Sequence, residues 1–280
     1  EPRRFSKELD PNMSDDHYKK LAVLGHPIKQ SKSPIIHKHW IEKYDVQGDY
    51  AAIDIPPAAL EHEFGELIAA GYNGFNVTAP HKQDIMQYCD ARDRDAYEIG
   101  AVNTLYFKGN KLWGSNTDSY GFIENLENSV KNFDWTKGPA VILGAGGAAR
   151  AIAYALKQKS VPIVRICNRT IANASDIVAD MGGYVMPWDQ KEEALLDANL
   201  LINTTSLGMT GKAPLEINLD NLPQTATVYD IVYAPLITPL VEQAQARGNQ
   251  TVTGIGMLLY QAQKAFEIWY GIKPDVDDDL

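Results

Sequence analysis

The sequence predicts an α/β protein with mainly parallel sheets. Strand-like and helix-like segments alternate along most of the chain, and a glycine cluster at positions 144–147 joins one such strand to one such helix. A strand, a helix and a second strand in succession form a parallel pair with a right-handed crossover. The length of 280 residues fits one large domain or two modest ones.

The composition excludes several classes of protein. Hydrophobic residues make up 45% of the chain, which is enough for a core. The 26 basic and 36 acidic side chains give a net charge of −10, which argues against nucleic acid as the main partner. We find no apolar run that would span a membrane and no secretory signal. Cys89 and Cys167 lack metal-ligand spacing, so we predict no metal site and a reducing, cytoplasmic compartment.

The first half of the chain alternates between strand and helix signals. Residues 1–15 are polar and lack periodicity, so we predict a flexible tail there. In the first helix, Ser33 is predicted as the N-cap and Pro34 as the first helical residue. Strands are predicted over 20–25, 50–55 and 73–77, a helix over 57–70, and a β-hairpin over 102–107 and 111–115.

Three polar residues of this half are candidate functional groups. Ser31 has no capping role, and a second hydroxyl two residues later would let this loop bind a polyol or a carboxylate. Lys82 follows the carboxyl end of a predicted strand, where open α/β sheets place ligands, although a solvated surface cation is the alternative. Asp118 precedes a helix predicted over 119–130, so an N-cap is its alternative role.

The glycine cluster lies in a strand–turn–helix–strand segment. Strand residues 141–143 run into the turn, and an alanine-rich helix and a second strand follow. Gly144 permits a tight turn, Gly146 lets the backbone approach a pyrophosphate at the helix N-terminus, and Ala149 allows close helix–strand packing. This context predicts a Rossmann-type dinucleotide site, with a bare structural turn as the alternative.

The end of the second strand, predicted over 161–167, indicates which dinucleotide binds. An NAD site places an acidic residue about 20 residues after the first glycine, where it holds the ribose 2′-hydroxyl. This chain has Asn168, Arg169 and Thr170 there instead. A guanidinium binds a 2′-phosphate that a carboxylate would repel, so NADP is favoured over NAD. A solvated position at the start of the next helix is the alternative role for Arg169.

The remaining segments supply further strand ends and the last helix. Asn203, Thr204 and Tyr233 follow strands predicted at 200–203 and 227–231, which makes them candidates to line the cofactor site. The last helix is predicted over 257–270, and Gln261 lies at the edge of the apolar face that packs against the core. A helix is predicted over 171–181, a short strand over 184–186 and a further helix from Thr238-Pro239 onward.

Several independent motifs occur along the chain. They are Gly25-x-Pro-Ile-x-x-Ser31-x-Ser33-Pro34, Asn76-Val-Thr78-x-Pro-x-Lys82, Gly100-Ala-Val-Asn103-Thr-Leu, Asn116-Thr-Asp118, Gly144-Ala-Gly-Gly147, Asn168-Arg-Thr170 and Gly254-x-Gly-Met-Leu. Together these motifs resemble the shikimate dehydrogenase family, and the resemblance covers residues 20–275. It implies NADP-dependent reduction of 3-dehydroshikimate to shikimate, a step of aromatic amino-acid biosynthesis.

The resemblance also implies roles for individual residues. Lys82 and Asp118 would form the catalytic pair, and Ser31 and Ser33 would bind the substrate carboxylate. The ring hydroxyls would contact Thr78, Asn103 and Gln261, with Tyr233 nearby. NADP(H) would be held by Gly144, Ala145, Gly146, Gly147, Ala148, Asn168, Arg169, Thr170, Asn203, Thr204 and Gly254.

The implied architecture is two α/β domains with the active site in a cleft between them. Residues 16–119 and 254–280 would form the substrate-binding domain, and residues 120–253 the Rossmann-type NADP domain. The expected partners are the small-molecule substrate and the cofactor, without nucleic acid or membrane. We expect a monomer or a homodimer.

Asn173 stands where the family's adenosine-phosphate motif carries a second arginine, a departure that weakens the expected preference for NADP over NAD. Two alternatives to the implied function stay open. A quinate/shikimate dehydrogenase with relaxed cofactor use is one alternative. A catalytically silent NADP-binding regulator on the same fold is the other, although the presence of Lys82 and Asp118 argues against it.

Overall fold

The computed structural model describes residues 18–277, so the tail predicted over 1–15 lies outside the described residues. The chain divides into two compact units. The first unit comprises the residues up to Thr117 together with those from Gln261 onward, and the second unit comprises Asp118–Tyr260. Within the described part of the chain, no helix has the length and apolar character needed to cross a membrane.

The first unit contains a six-stranded mixed sheet in the order β2-β1-β3-β5-β6-β4. β1 pairs in parallel with β2 and β3, while the hairpin of β5 and β6 is antiparallel. The strands are β1 (Lys19–Gly25), β2 (Gly48–Asp54), β3 (Gly74–Val77), β4 (Ala91–Arg92), β5 (Thr104–Lys108) and β6 (Lys111–Ser115). The helices are α1 (Ser33–Lys43), α2 (Leu60–Ala69) and α3 (Arg94–Ile99).

Strand β1 is apolar throughout its centre because both faces of the sheet are covered. Successive strand residues point to opposite faces. Leu21 and Val23 pack in one cluster with Trp269, whereas Leu24 packs in a second cluster with Phe75. A strand that is buried on both faces carries a continuous apolar run, as is typical of parallel sheets.

The second unit contains a six-stranded sheet in the order β12-β11-β10-β7-β8-β9, and all its pairs are parallel. The order reverses between β7 and β10, which is the Rossmann arrangement. The strands are β7 (Ala140–Leu143), β8 (Val164–Asn168), β9 (Tyr184–Pro187), β10 (Leu200–Asn203), β11 (Thr227–Asp230) and β12 (Gln250–Val252). The helices are α4 (Asp118–Ser129), α5 (Gly147–Gln158), α6 (Ile171–Met181), α7 (Pro239–Ala246) and α8 (Gly254–Tyr270), the last of which continues into the first unit.

The predicted fold class is confirmed, and several local predictions need correction. Ser33 is the first residue of α1 and Lys32 occupies the N-cap position without a side-chain bond, so Pro34 lies one residue deeper than predicted. The helix predicted over 57–70 is a 3₁₀ turn followed by α2. Helix α8 begins at Gly254 rather than at residue 257. The short elements β4, α3 and β12 were not predicted.

Candidate active site

The loop between β1 and α1 presents the two candidate carboxylate-binding serines. Asp54 fixes this loop, because its carboxylate accepts a hydrogen bond from the Ile28 amide at 2.9 Å and pairs with His26 Nδ1 at 3.0 Å. Ser31 is partly exposed, and its Oγ accepts from the amide of Ser33 at 3.3 Å. Ser33 is buried, with 6% of its surface exposed. The two hydroxyls therefore lie in different environments.

A chain of buried hydrogen bonds, the buried polar chain, joins Tyr50 on β2 to Asn76 on β3. The Tyr50 hydroxyl donates to Asn76 Oδ1 at 2.6 Å. Asn76 Nδ2 donates to the carbonyl oxygen of Asn103 at 3.2 Å and to Thr104 Oγ1 at 3.1 Å. The sequence analysis gave no role to Tyr50 or to Asn76, although a polar Asn76 within an apolar strand was an available signal. The buried polar chain thus connects Tyr50 with Asn103 through the side chain of Asn76.

Asn103 is held in one orientation at the start of the hairpin. Its Oδ1 accepts from the Thr117 amide at 2.8 Å, and its Nδ2 lies 3.0 Å from Thr117 Oγ1. Its carbonyl oxygen also accepts from the amide of Val77 at 2.8 Å. With 2% of its surface exposed, Asn103 is a rigid feature of the first unit.

Lys82 lies in the turn after β3, and hydrogen bonds of Lys82 and of its neighbour His81 hold the backbone in place. Its carbonyl oxygen accepts from the Val102 amide at 2.8 Å. The preceding residue, His81, is fully buried and its Nε2 donates to the carbonyl oxygen of Ile55 at 2.7 Å. Thr78 begins the same turn, with its amide bonded to the Leu24 carbonyl at 2.8 Å. Thr78 and Lys82 thus project from a turn anchored to neighbouring strands, as predicted for groups at a strand end.

In the second unit, the turn after β7 has the features of an anion-binding helix start. Gly144 has φ of +104°, and a Cβ there would lie 2.7 Å from Thr204 Oγ1. A Cβ on Gly146 would meet no heavy atom within 4 Å. Helix α5 begins at Gly147 and its N-cap residue offers no side-chain bond. The N-cap residue of α5 thus leaves the N-terminal amides of the helix uncapped. Such amides can donate hydrogen bonds to a phosphate group.

The residues after β8 fit the adenosine end of such a cofactor. Asn168 ends the strand, and its Nδ2 donates to the carbonyl oxygen of Thr170 at 2.8 Å, which closes a tight turn. Arg169 and Thr170 are exposed, and Asn173 is exposed on the first turns of α6. These three positions and Asn168 include no carboxylate that would repel a 2′-phosphate.

The predicted cofactor residue Asn203 belongs to a buried cluster at the ends of β10 and β11, whose other members the sequence analysis did not assign to a site. Asn203 Nδ2 donates to Asp230 Oδ1 at 3.0 Å, and Asn203 Oδ1 accepts from the Thr205 amide at 3.0 Å. Asp230 also accepts from the Val232 amide at 3.0 Å and from Thr238 Oγ1 at 2.7 Å. Burial raises the pKa of the Asp230 carboxyl, and these donors oppose that shift. The cluster anchors the loops that follow both strands.

The other predicted site residues occupy the following places. Tyr233 is half-buried after β11, and desolvation raises the pKa of its hydroxyl. Asp118 is the first residue of α4 and is buried, and Gln261 is partly exposed on α8. Gly254 lies so close to the chain after β11 that a Cβ would fall 2.2 Å from the carbonyl oxygen of Ile231. This close packing is a structural reason for glycine at that position.

Three family models match the chain in order. Residues 23–105 match the shikimate dehydrogenase substrate-binding domain, and residues 126–210 match the shikimate/quinate 5-dehydrogenase family. Residues 254–278 match the shikimate 5′-dehydrogenase C-terminal domain. The matches thus fall in both units.

Individual relatives agree with these models. The shikimate dehydrogenase (NADP(+)) of Paramagnetospirillum magneticum is 46% identical over 262 residues, covering 92% of this chain and 95% of the relative. The crystal structure of shikimate 5-dehydrogenase from Thermus thermophilus in complex with NADP(H) and shikimate is 35% identical, with a TM-score of 0.82 and 92% and 95% of the two chains covered. Quinate dehydrogenase from Corynebacterium glutamicum in complex with NAD is 26% identical, with a TM-score of 0.85 and the same coverage.

Proposed function

This chain belongs to the shikimate dehydrogenase family, and from that premise we propose that it catalyses the reversible NADPH-dependent reduction of 3-dehydroshikimate to shikimate. The observation that carries this function is the 46% identity to an NADP-dependent relative across 92% of the chain. The reaction is a step of the shikimate pathway. It needs no partner besides substrate and cofactor, and we expect a monomer or a homodimer in the cytoplasm.

We assign the two ligands to separate parts of the chain. Residues 16–119 and 254–280 would form the substrate-binding domain, and the match of residues 23–105 to a model of that domain supports the first of these ranges. Residues 120–253 would bind NADP(H), with a further contact from Gly254 at the start of the second range of the substrate-binding domain. When bound, NADPH supplies the hydride that reduces the carbonyl carbon. The residues that would hold it are Gly144, Ala145, Gly146, Gly147, Ala148, Asn168, Arg169, Thr170, Asn203, Thr204 and Gly254.

In this proposal Lys82 and Asp118 assist the proton transfer that accompanies hydride transfer. Reduction places negative charge on the C3 oxygen, and Lys82 Nζ stabilises that charge and donates a proton to it. A lysine suits the task because its ammonium is a compact cation. The carboxylate of Asp118 would pair with this ammonium group, and the pairing offsets the cost of removing the positive charge from water. Ser31 and Ser33 bind the carboxylate, while Thr78, Asn103, Gln261 and Tyr233 orient the ring hydroxyls.

A steady-state assay tests this function and its closest rival. The rival is quinate oxidation with relaxed cofactor use, favoured by the similarity to a quinate dehydrogenase and by Asn173 in place of a second arginine. Purified protein is assayed with shikimate or quinate, each with NADP⁺ or NAD⁺. We expect the highest kcat/KM for shikimate with NADP⁺. A higher kcat/KM for quinate or for NAD⁺ would reject the proposal in favour of the rival.

Arg169→Ala is expected to raise the KM for NADP⁺ by roughly 10–100-fold, because one charge-assisted contact is lost. The KM for NAD⁺, which lacks the 2′-phosphate, should change little. Asn173→Arg is the matched gain-of-function variant and should lower the KM for NADP⁺. Initial rates against each cofactor at saturating shikimate measure all three effects. An equal rise in KM for both cofactors would mean that Arg169 does not bind the 2′-phosphate.

A further inference from the structure

The two ends of the Asn103 side-chain amide can be told apart from their neighbours. Asn103 Oδ1 lies 2.8 Å from the backbone nitrogen of Thr117, and a backbone N–H only donates hydrogen bonds. The amide oxygen of Asn103 must therefore face Thr117. The Thr117 hydroxyl agrees with this orientation, because its Oγ1 lies 3.0 Å from Asn103 Nδ2 and 3.3 Å from Oδ1. Thr117 thus holds the oxygen with its backbone and the nitrogen with its side chain.

A second set of contacts leads to the same orientation. The carbonyl oxygen of Asn103 only accepts hydrogen bonds, so the Asn76 atom that faces it at 3.2 Å is the amide nitrogen. That nitrogen also donates to Thr104 Oγ1 at 3.1 Å. The Thr104 hydroxyl then donates its own proton to Asn103 Oδ1 at 2.9 Å. Thr104 and Thr117 therefore fix the amide of Asn103 independently of each other.

These contacts are closed to solvent, because Asn103, Thr104 and Thr117 are each no more than 2% exposed. If the amide of Asn103 turned over, its nitrogen would face the Thr117 N–H, and two donors would meet without an acceptor. Buried donors without an acceptor are costly, and water does not reach this place to satisfy them. The protein therefore sets the orientation of Asn103 before any ligand binds.

This orientation decides which hydrogen bonds Asn103 can add. Its Oδ1 already accepts from the Thr117 N–H and from the Thr104 hydroxyl, and an amide oxygen has two lone pairs. Its Nδ2 carries two hydrogens, one of which is directed to Thr117 Oγ1. Any partner of this side chain outside the network must therefore accept a hydrogen bond from Nδ2.

We propose that Thr104 and Thr117 are positioning residues that hold Asn103 as a hydrogen-bond donor to the substrate. This inference rests on the proposed function, in which Asn103 binds a ring hydroxyl of shikimate. The oxygen of that hydroxyl accepts from Asn103 Nδ2, so the hydroxyl has to donate its own proton to a different group. Neither threonine needs to touch the substrate for this role, because both act through Asn103.

A double-mutant cycle tests whether Thr117 acts through Asn103. Thr117→Val keeps the shape of the side chain and the backbone N–H but removes the hydroxyl. We expect it to raise the KM for shikimate roughly 5–20-fold and to leave kcat within about twofold of the wild-type value. In an Asn103→Ala background it should have no further effect on KM. Steady-state rates at saturating NADP⁺ give both constants.

Two results of this cycle would overturn the proposal. Equal effects of Thr117→Val in both backgrounds would mean that Thr117 does not act through Asn103. A fall in kcat with an unchanged KM would mean that the substitution acts on the neighbouring residue Asp118. A wild-type protein without shikimate turnover would instead overturn the proposed function itself.

Conservative variants and a control separate positioning from general destabilisation. Thr117→Ser retains the hydroxyl and should restore a KM near that of the wild type, whereas equal effects of the serine and valine variants contradict the proposal. Thr104→Val is an independent second variant and should raise the KM roughly 2–5-fold, because the Thr117 N–H still holds Oδ1. Thr227→Val is the matched control, since Thr227 is 2% exposed and its hydroxyl makes no hydrogen bond within residues 18–277. It should leave the KM unchanged.

The direction of the substrate contact is tested at Asn103 itself. Aspartate has the shape of asparagine, but an ionised carboxylate only accepts hydrogen bonds. Asn103→Asp should therefore raise the KM for shikimate at least as much as Asn103→Ala, roughly 10–100-fold. Thermal melts of both variants show whether the fold is retained. A KM of Asn103→Asp near the wild-type value would show that the ring hydroxyl donates to this position, and the proposal would be wrong.

Discussion

Lys82→Ala is expected to lower kcat by roughly 10²–10⁴-fold and to leave the KM for shikimate close to its wild-type value. The reason is that Lys82 would act on charge that appears on the C3 oxygen only during the reaction. Binding of the ground state would depend on the serines and on the groups that contact the ring hydroxyls. The backbone of Lys82 is held by Val102 and by the anchored His81, so the fold should tolerate loss of the side chain.

The measurement is a steady-state titration of shikimate at saturating NADP⁺, with a thermal melt of each variant. Lys111→Ala is the matched control, because Lys111 is an exposed lysine on β6 of the same unit. It should change neither kcat nor KM. A near-normal kcat for Lys82→Ala would remove Lys82 from the mechanism. A large rise in KM with little loss of kcat would instead make it a substrate-binding residue.

Gly146→Ala is expected to raise the KM for NADP⁺ by roughly 10–100-fold without lowering the melting temperature. A Cβ at this position meets no protein atom within 4 Å, and its backbone, with φ of −92°, suits any residue. The added methyl group therefore costs the protein nothing by itself. It would occupy the space through which a pyrophosphate approaches the N-terminus of α5.

Gly144→Ala provides the contrast for this experiment. Here the backbone has φ of +104°, and the Cβ would lie 2.7 Å from Thr204 Oγ1 and 3.0 Å from Thr205 Cγ2. The backbone conformation alone should cost about 1–2 kcal/mol, so this variant should lose both stability and cofactor affinity. Isothermal titration with NADP⁺ and thermal melts distinguish the two variants. An unchanged NADP⁺ affinity of Gly146→Ala would show that the cofactor does not approach the backbone there.

Local signals explain why the cofactor half was predictable from the sequence. Gly144 and Gly146 are needed for backbone reasons that act within a few residues, and the strand–turn–helix order around them is continuous in sequence. The absence of an acidic residue at 168–170 is likewise visible without the fold. The order of strands in each sheet was not predicted, because strand pairing depends on long-range contacts.

Long-range contacts also explain what the sequence analysis missed in the substrate half. Tyr50 and Asn76 are 26 residues apart and meet only when their strands flank β1. Ser33 was predicted as an N-cap from its neighbour Pro34, but it is buried as the first residue of α1 and Lys32 takes the N-cap position. The carboxylate of Asp230 was overlooked because Asn203, one of its partners, lies 27 residues earlier on the neighbouring strand β10.

The cluster of Asn203, Asp230 and Thr238 has a consequence for engineering the loops after β10 and β11. Asp230 accepts from Val232 and Thr238 in the loop after β11 and from Asn203 at the end of β10. Asn203 in turn accepts from the amide of Thr205 in the loop after β10, so the two loops share one anchor. Transplanting either loop from a relative would leave part of that anchor with mismatched donors and acceptors. A successful graft therefore has to transfer all three residues together. The exposed residues between them can be varied.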